Sequence, residues 1–103
     1  MATFAENLKG LPSIENLEHI TLYRDGQELG VIPNAEGKRG SLQVYNYLTG
    51  GIDGIIDASA AAKGLELFAE KVDEAKAIPG KHPNIEYLLN YTSPIAVRIT
   101  YQR

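Results

Sequence analysis

Residues 19–32 read HITLYRDGQELGVI, two strand-like runs on either side of Asp25-Gly26. Asp-Gly at such a place favours a two-residue type I′ turn, because both central residues must take positive φ. The turn sets a register. With Arg24 opposite Gln27, Leu22 faces Leu29 and Ile20 faces Val31, and these four apolar side chains share one face. The other face carries His19, Thr21, Tyr23, Glu28, Gly30 and Ile32, and this mostly polar side is expected to meet water.

Outward from the hairpin, the C-terminal segment alternates in the same way. Ile95, Val97, Ile99 and Tyr101 face one side; Ala96, Arg98, Thr100 and Gln102 face the other. Period-two alternation of this kind predicts a half-buried strand. Pro33 lacks an amide hydrogen and suits an edge strand, so the last strand is expected beside the first.

The rest of the chain reads as helix and turn. Thr3 and Glu6 have the spacing of a capping box, and Phe4 and Leu8 then share a helical face. Pro33 to Gly40 reads as a loop, followed from Ser41 by a helix with Leu42, Tyr45 and Leu48 on its apolar side. Gly50-Gly51 stops that helix. Asp53-Gly54 reads as a further turn. Asp57 is placed to cap the longest helix, whose stripe of Ala58, Ala61, Leu65, Phe68, Val72 and Ala75 would run about 30 Å. Glu66, Glu70, Asp73 and Glu74 lie opposite that stripe, and Pro79-Gly80 ends it. Pro83 fits the first turn of a last helix that buries Ile85, Leu88 and Leu89. The reading is one α+β domain over residues 1–103. A three-stranded antiparallel sheet, the hairpin plus the C-terminal strand, is covered on one face by helices including one long helix.

Composition narrows the function. The 103 residues include no cysteine, which excludes disulfides, thiolate metal sites and a cysteine nucleophile, and fits a reducing compartment. The formal net charge of −3, without a basic run, argues against binding duplex nucleic acid. No stretch approaches the ~20 apolar residues of a membrane helix, and residues 1–9 lack the pattern of a secretory signal. A cytoplasmic protein is expected.

The segments LPSIENLEHI (11–20), RGSLQVYNYL (39–48), GLELFAE (64–70) and PGKHPNIEYLL (79–89) resemble those of a small family of uncharacterised bacterial proteins. The resemblance implies a bacterial cytoplasmic origin. None of these segments is a catalytic signature, and the resemblance transfers no functional residue.

Two basic segments open predicted helices: Lys38, Arg39, Gly40 and Ser41, then Lys81, His82 and Asn84. Helix starts present free amides and partial positive charge, so an anion could bind at either. The first is not a P-loop, since Ile32 stands where that motif needs glycine and Arg39 where it needs Ser or Thr. Histidine changes charge near neutral pH, which makes His82 the better functional candidate of the two histidines. The plainer reading of both segments is a solvated turn and a helix cap. Histidine, aspartate and glutamate show no metal-ligand spacing, and no serine sits in a nucleophile elbow, so neither a metal nor a cofactor is expected.

An interaction surface is the other candidate. Tyr23, Tyr87 and Tyr91 are amphipathic and suited to interfaces, though tyrosine is equally ordinary at a core rim. Ala60, Gly64 and Leu67 form a second small-to-apolar strip on the long helix, open to close packing by another helix of the chain or by a second subunit. A monomer or weak homodimer is expected. Two function classes follow: first, a non-catalytic protein-binding or regulatory domain, with another protein as partner; as the alternative, a binder of small anionic metabolites or nucleotides, with room for it to be an enzyme, using the basic helix starts. A flat apolar patch at Tyr87, Tyr91 or Leu67 would favour the first. A pocket joining Lys38, Arg39 and His82 would favour the second.

Overall fold

The computed structural model describes residues 2–102. In chain order the elements are α1 (Phe4–Lys9), β1 (Leu17–Arg24), β2 (Gln27–Pro33), α2 (Arg39–Leu48), β3 (Gly54–Ile56), α3 (Ala58–Phe68), α4 (Lys71–Ala77), α5 (Pro83–Leu89) and β4 (Ile95–Tyr101). The strands form one antiparallel sheet in the order β2-β1-β4-β3. Among the described residues no helix is long and apolar enough to cross a membrane.

The last strand pairs with the first, and β2 is an edge, as Pro33 suggested. The sheet has four strands rather than three. The segment after Asp53, expected to be a turn, adds β3 to β4. Asp53 Oδ1 accepts the Ile99 amide at 2.7 Å, which satisfies β4 where β3 has not yet begun. Ile56 is then fully buried.

Asp25 and Gly26 take φ of 54° and 80°, the pair of positive values a type I′ turn needs. The expected register fails two residues further on. Arg24 faces Gln27 and Tyr23 faces Glu28, but Leu22 faces Gly30 and Ile20 faces Ile32, so Leu29 is the extra residue of a bulge. Beyond it the alternation reverses. Ile32 enters the core at 0% exposure, and Val31, expected inside, is 48% exposed. The cause lies on α5. Tyr87 Oη donates to the Leu29 carbonyl at 2.9 Å, satisfying a group the ladder has lost. Gly30 leaves room for that phenol: a Cβ there would lie 3.0 Å from the Tyr87 oxygen.

The expected long helix is also interrupted. α3 ends at Phe68 and α4 starts at Lys71, with Ala69 at φ 50° and ψ −123°. Positive φ in a non-glycine residue costs about 1–3 kcal/mol unless its surroundings hold it. Here α1 holds it. The Phe4 ring stacks on Phe68 with centroids 5.4 Å apart. The Phe4 amide donates to Glu70 Oε1 at 2.8 Å, and Asn7 Nδ2 donates to the Leu67 carbonyl at 2.9 Å. The capping box of Thr3 and Glu6 is formed, so α1 meets the break as a finished turn of helix.

The core lies between the sheet face bearing Ile20, Leu22, Ile32, Ile95 and Val97 and the helices that bring Leu42, Tyr45, Phe68, Ile85 and Leu88. The strip on α3 belongs to this core. Gly64 is buried, and a Cβ on it would lie 2.7 Å from Leu88 and 3.0 Å from Leu48. Leu67, expected on an interaction surface, is only 9% exposed. The close neighbours of that glycine are helices of the same chain.

Candidate functional site

α2 begins at Arg39, two residues earlier than its apolar pattern suggested. No side chain caps it, so its first amides are left to solvent or a ligand. Gly40, in its first turn, is explained by packing: a Cβ would sit 2.7 Å from the Phe4 ring. α1 is thereby drawn across the start of α2. The loop before α5 is built separately. Glu86 Oε2 accepts the Gly80 amide at 2.8 Å, and Pro83 occupies the first turn, while neither His82 nor Asn84 provides a side-chain cap.

The fold brings these two helix starts, some forty residues apart in sequence, to one cleft of about 320 Å³. Gly37, Arg39, Gly40 and Ser41 line one side, and His82 lines the other. Lys71, exposed to this space by the break between α3 and α4, adds a cation. Phe4, Leu8, Phe68 and Ile85 give the cleft apolar walls. Arg39 also borders a second depression of about 590 Å³ on its other flank, and its Nε donates to Asn34 Oδ1 at 3.1 Å.

Three expected members lie outside the cleft. Lys38 is the exposed residue before α2, and its amide closes a turn onto the Ala35 carbonyl. Lys81 turns to Glu74, with Nζ 2.6 Å from Oε1. Asn84 lends its carbonyl to the Tyr45 hydroxyl. Burial pushes the Tyr45 hydroxyl far above its ordinary range, with Tyr87 adding to the effect, so it remains a proton donor. That bond ties the middle of α2 to the start of α5.

Glu74 sets the electrostatics beside the cleft. Its carboxylate is drawn down to about 2, first by Lys81 and then by His82, against the opposing effect of desolvation. His82 Nε2 lies 3.1 Å from the same Oε1, out of line for a full hydrogen bond, and Lys71 Nζ lies 3.8 Å from Oε2. One carboxylate thus offsets part of the positive charge of Lys71 and Lys81 and lies beside the His82 imidazole. Among the described residues no three His, Cys, Asp or Glu come together as a metal-ligand set.

The sequence missed Phe4, Phe68, Lys71 and Glu74. The one available signal was Lys71 itself, a cation interrupting the row of Glu66, Glu70, Asp73 and Glu74. Of the tyrosines considered for an interface, Tyr87 is tied to the β2 bulge and Tyr91 packs half-buried against the core. Tyr23 lies half-buried on the outer face of the sheet, beside Glu28 and Ala96.

No curated protein and no solved structure matches the chain. The sequence model of one family matches residues 4–99, nearly the whole chain and every segment that carried the resemblance. The chain therefore belongs to the family described as an uncharacterized protein conserved in bacteria (DUF2322).

Proposed function

We propose that this domain binds a small anionic ligand with an apolar portion, such as a carboxylic acid or a phosphate ester, in the cleft between α1, α2 and α5. The observation behind this reading is the meeting of Arg39, Lys71 and His82 over the aromatic wall of Phe4 and Phe68. The uncapped amides of α2 and the Arg39 guanidinium suit the oxygens of an anion. The aromatic wall suits the remainder of the molecule. The other class considered, a domain binding protein through Tyr87, Tyr91 or Leu67, loses support because these side chains are engaged in the fold. The lack of cysteine is in keeping with a cytoplasmic location, which belongs to the same proposal.

The test is an NMR titration with phosphate, nucleotides and aromatic and aliphatic carboxylic acids. Shifts should concentrate on amides 37–42 and 80–85 and be lost in Arg39→Glu/Lys71→Glu. Amides that stay still at millimolar ligand, or a variant that binds equally well, would leave these segments as turns and helix starts only.

A further inference from the structure

The break at Ala69 has a second effect, among residues that do not line the cleft. The sequence puts Leu65 and Val72 on the same apolar stripe as Phe68 and Ala75. With the helix interrupted, Phe68 and Ala75 are buried while Leu65 and Val72 pack against the core from its rim and stay partly exposed. Together with Leu89 of α5 they line an open depression of about 790 Å³. A second depression, about 400 Å³, shares Glu66 and Ala69 with it; a third, about 350 Å³, shares Lys76 and Leu89. The central depression thus borders the other two, and the three follow α3 and α4 as a trough.

The rim of the central depression is acidic. Glu66, Glu70 and Asp73 stand on it against the single ammonium of Lys76. Glu70 is engaged by the Phe4 amide, and Glu66 reaches Lys63 only at 3.9 Å on the exposed surface. Asp73 makes no ion pair among the described residues. An aliphatic floor with a net negative rim complements a segment that offers aliphatic side chains on one face and Lys or Arg beside them.

We propose that this trough receives a basic amphipathic helix of a partner protein. The proposal is independent of the anion cleft, with which the central depression shares no lining residue. Apolar side chains of the partner would cover Leu65, Val72 and Leu89, and its cations would meet Glu66 and Asp73. Affinity should fall as salt rises, since the rim charges are exposed.

The probe is a synthetic peptide of some fifteen residues with leucine at helical i, i+3, i+4 and i+7 spacing and lysine elsewhere. Its counterpart carries glutamate in place of lysine. The basic peptide should give saturable NMR shifts on amides 65–76 and 89, and the acidic one none. Glu66→Lys/Asp73→Lys, both exposed, should weaken binding at least tenfold with an unchanged circular dichroism spectrum. Val72→Asp should do the same, and its folding is checked by the same spectrum. Equal binding of the two peptides, shifts mapping elsewhere, or an unaffected charge-reversal variant would overturn the proposal. A dimer that buries the same amides without peptide would overturn it too, by making a second copy the occupant.

Discussion

The hairpin of β1 and β2 and the helical segment 57–77 share a design and differ in how comfortable it is. Each has a regular apolar period in sequence, each is interrupted once, and each interruption is secured by a distant partner. In the hairpin the extra residue is Leu29, followed by a glycine that makes space, and the freed carbonyl is taken by Tyr87. In the helices the interruption falls on Ala69, whose positive φ has no glycine to relieve it, and α1 supplies the counterweight through Phe4 and Asn7. The bulge is locally easy and needs its partner only for a hydrogen bond. The break is locally costly and depends on docking. α1 has no fully buried residue, so the costlier feature rests on the lighter support.

The largest effect is expected at that support. Phe4→Ala removes the stack on Phe68 and the contact over Gly40, and should lower stability by about 2–3 kcal/mol. Urea unfolding measures this, and hydrogen exchange should quicken first at residues 66–70. Uniform quickening over the hairpin as well would mean that the break is no weaker than the bulge.

Gly30→Ala comes next, at about 1–2 kcal/mol, because its methyl would press on the Tyr87 oxygen. Combined with Tyr87→Phe, the substitution should cost clearly less than the sum of the two single changes, since the clashing atom is gone. Strict additivity in the double-mutant cycle would show that the phenol does not set the bulge.

Ala69→Gly should act in the opposite direction. Relief of the positive φ outweighs the added freedom of the unfolded chain, for a gain of about 1 kcal/mol. A loss of stability would mean that Ala69 is not strained.

The smallest effect concerns acid. The Phe4 amide, as the chief cause, holds the Glu70 carboxyl below the usual carboxylate range. A carboxylate lowered in the folded state contributes stability above its unfolded value, and that contribution is lost as pH falls through the folded one. Exchange at amides 4–7 and 66–70 should therefore rise as pH drops below the ordinary glutamate range, with the exchange chemistry corrected for pH, while amides 20–32 change little. In Glu70→Gln this local pH dependence should disappear.

The same contrast explains what could be read from sequence. Asp25-Gly26 announces its turn because the required dihedrals belong to those two residues alone. The bulge two positions later depends on Tyr87, and no local pattern reports it. The strand at β3 was hidden because three residues carry too little alternation and because Asp53-Gly54 looks like a turn. The helix break was hidden because the apolar period runs through it undisturbed; only the docking of α1 decides against continuity. For the cleft, glycine, cation and helix-start signals marked Arg39, Gly40, Ser41 and His82 individually. Their convergence is tertiary, as is the diversion of Lys81 to Glu74, and Lys71 could be placed only once the break was known.

The hydrogen bond from Tyr45 to the Asn84 carbonyl bears on the proposed binding. It joins α2 to α5, the helices whose starts line the two sides of the cleft. If the cleft binds an anion as proposed, a gap tied in this way would act as a gauge. Ligands would be admitted by width, with little closure of the protein around them, and affinity across a series of increasing bulk should end in a step rather than a slope.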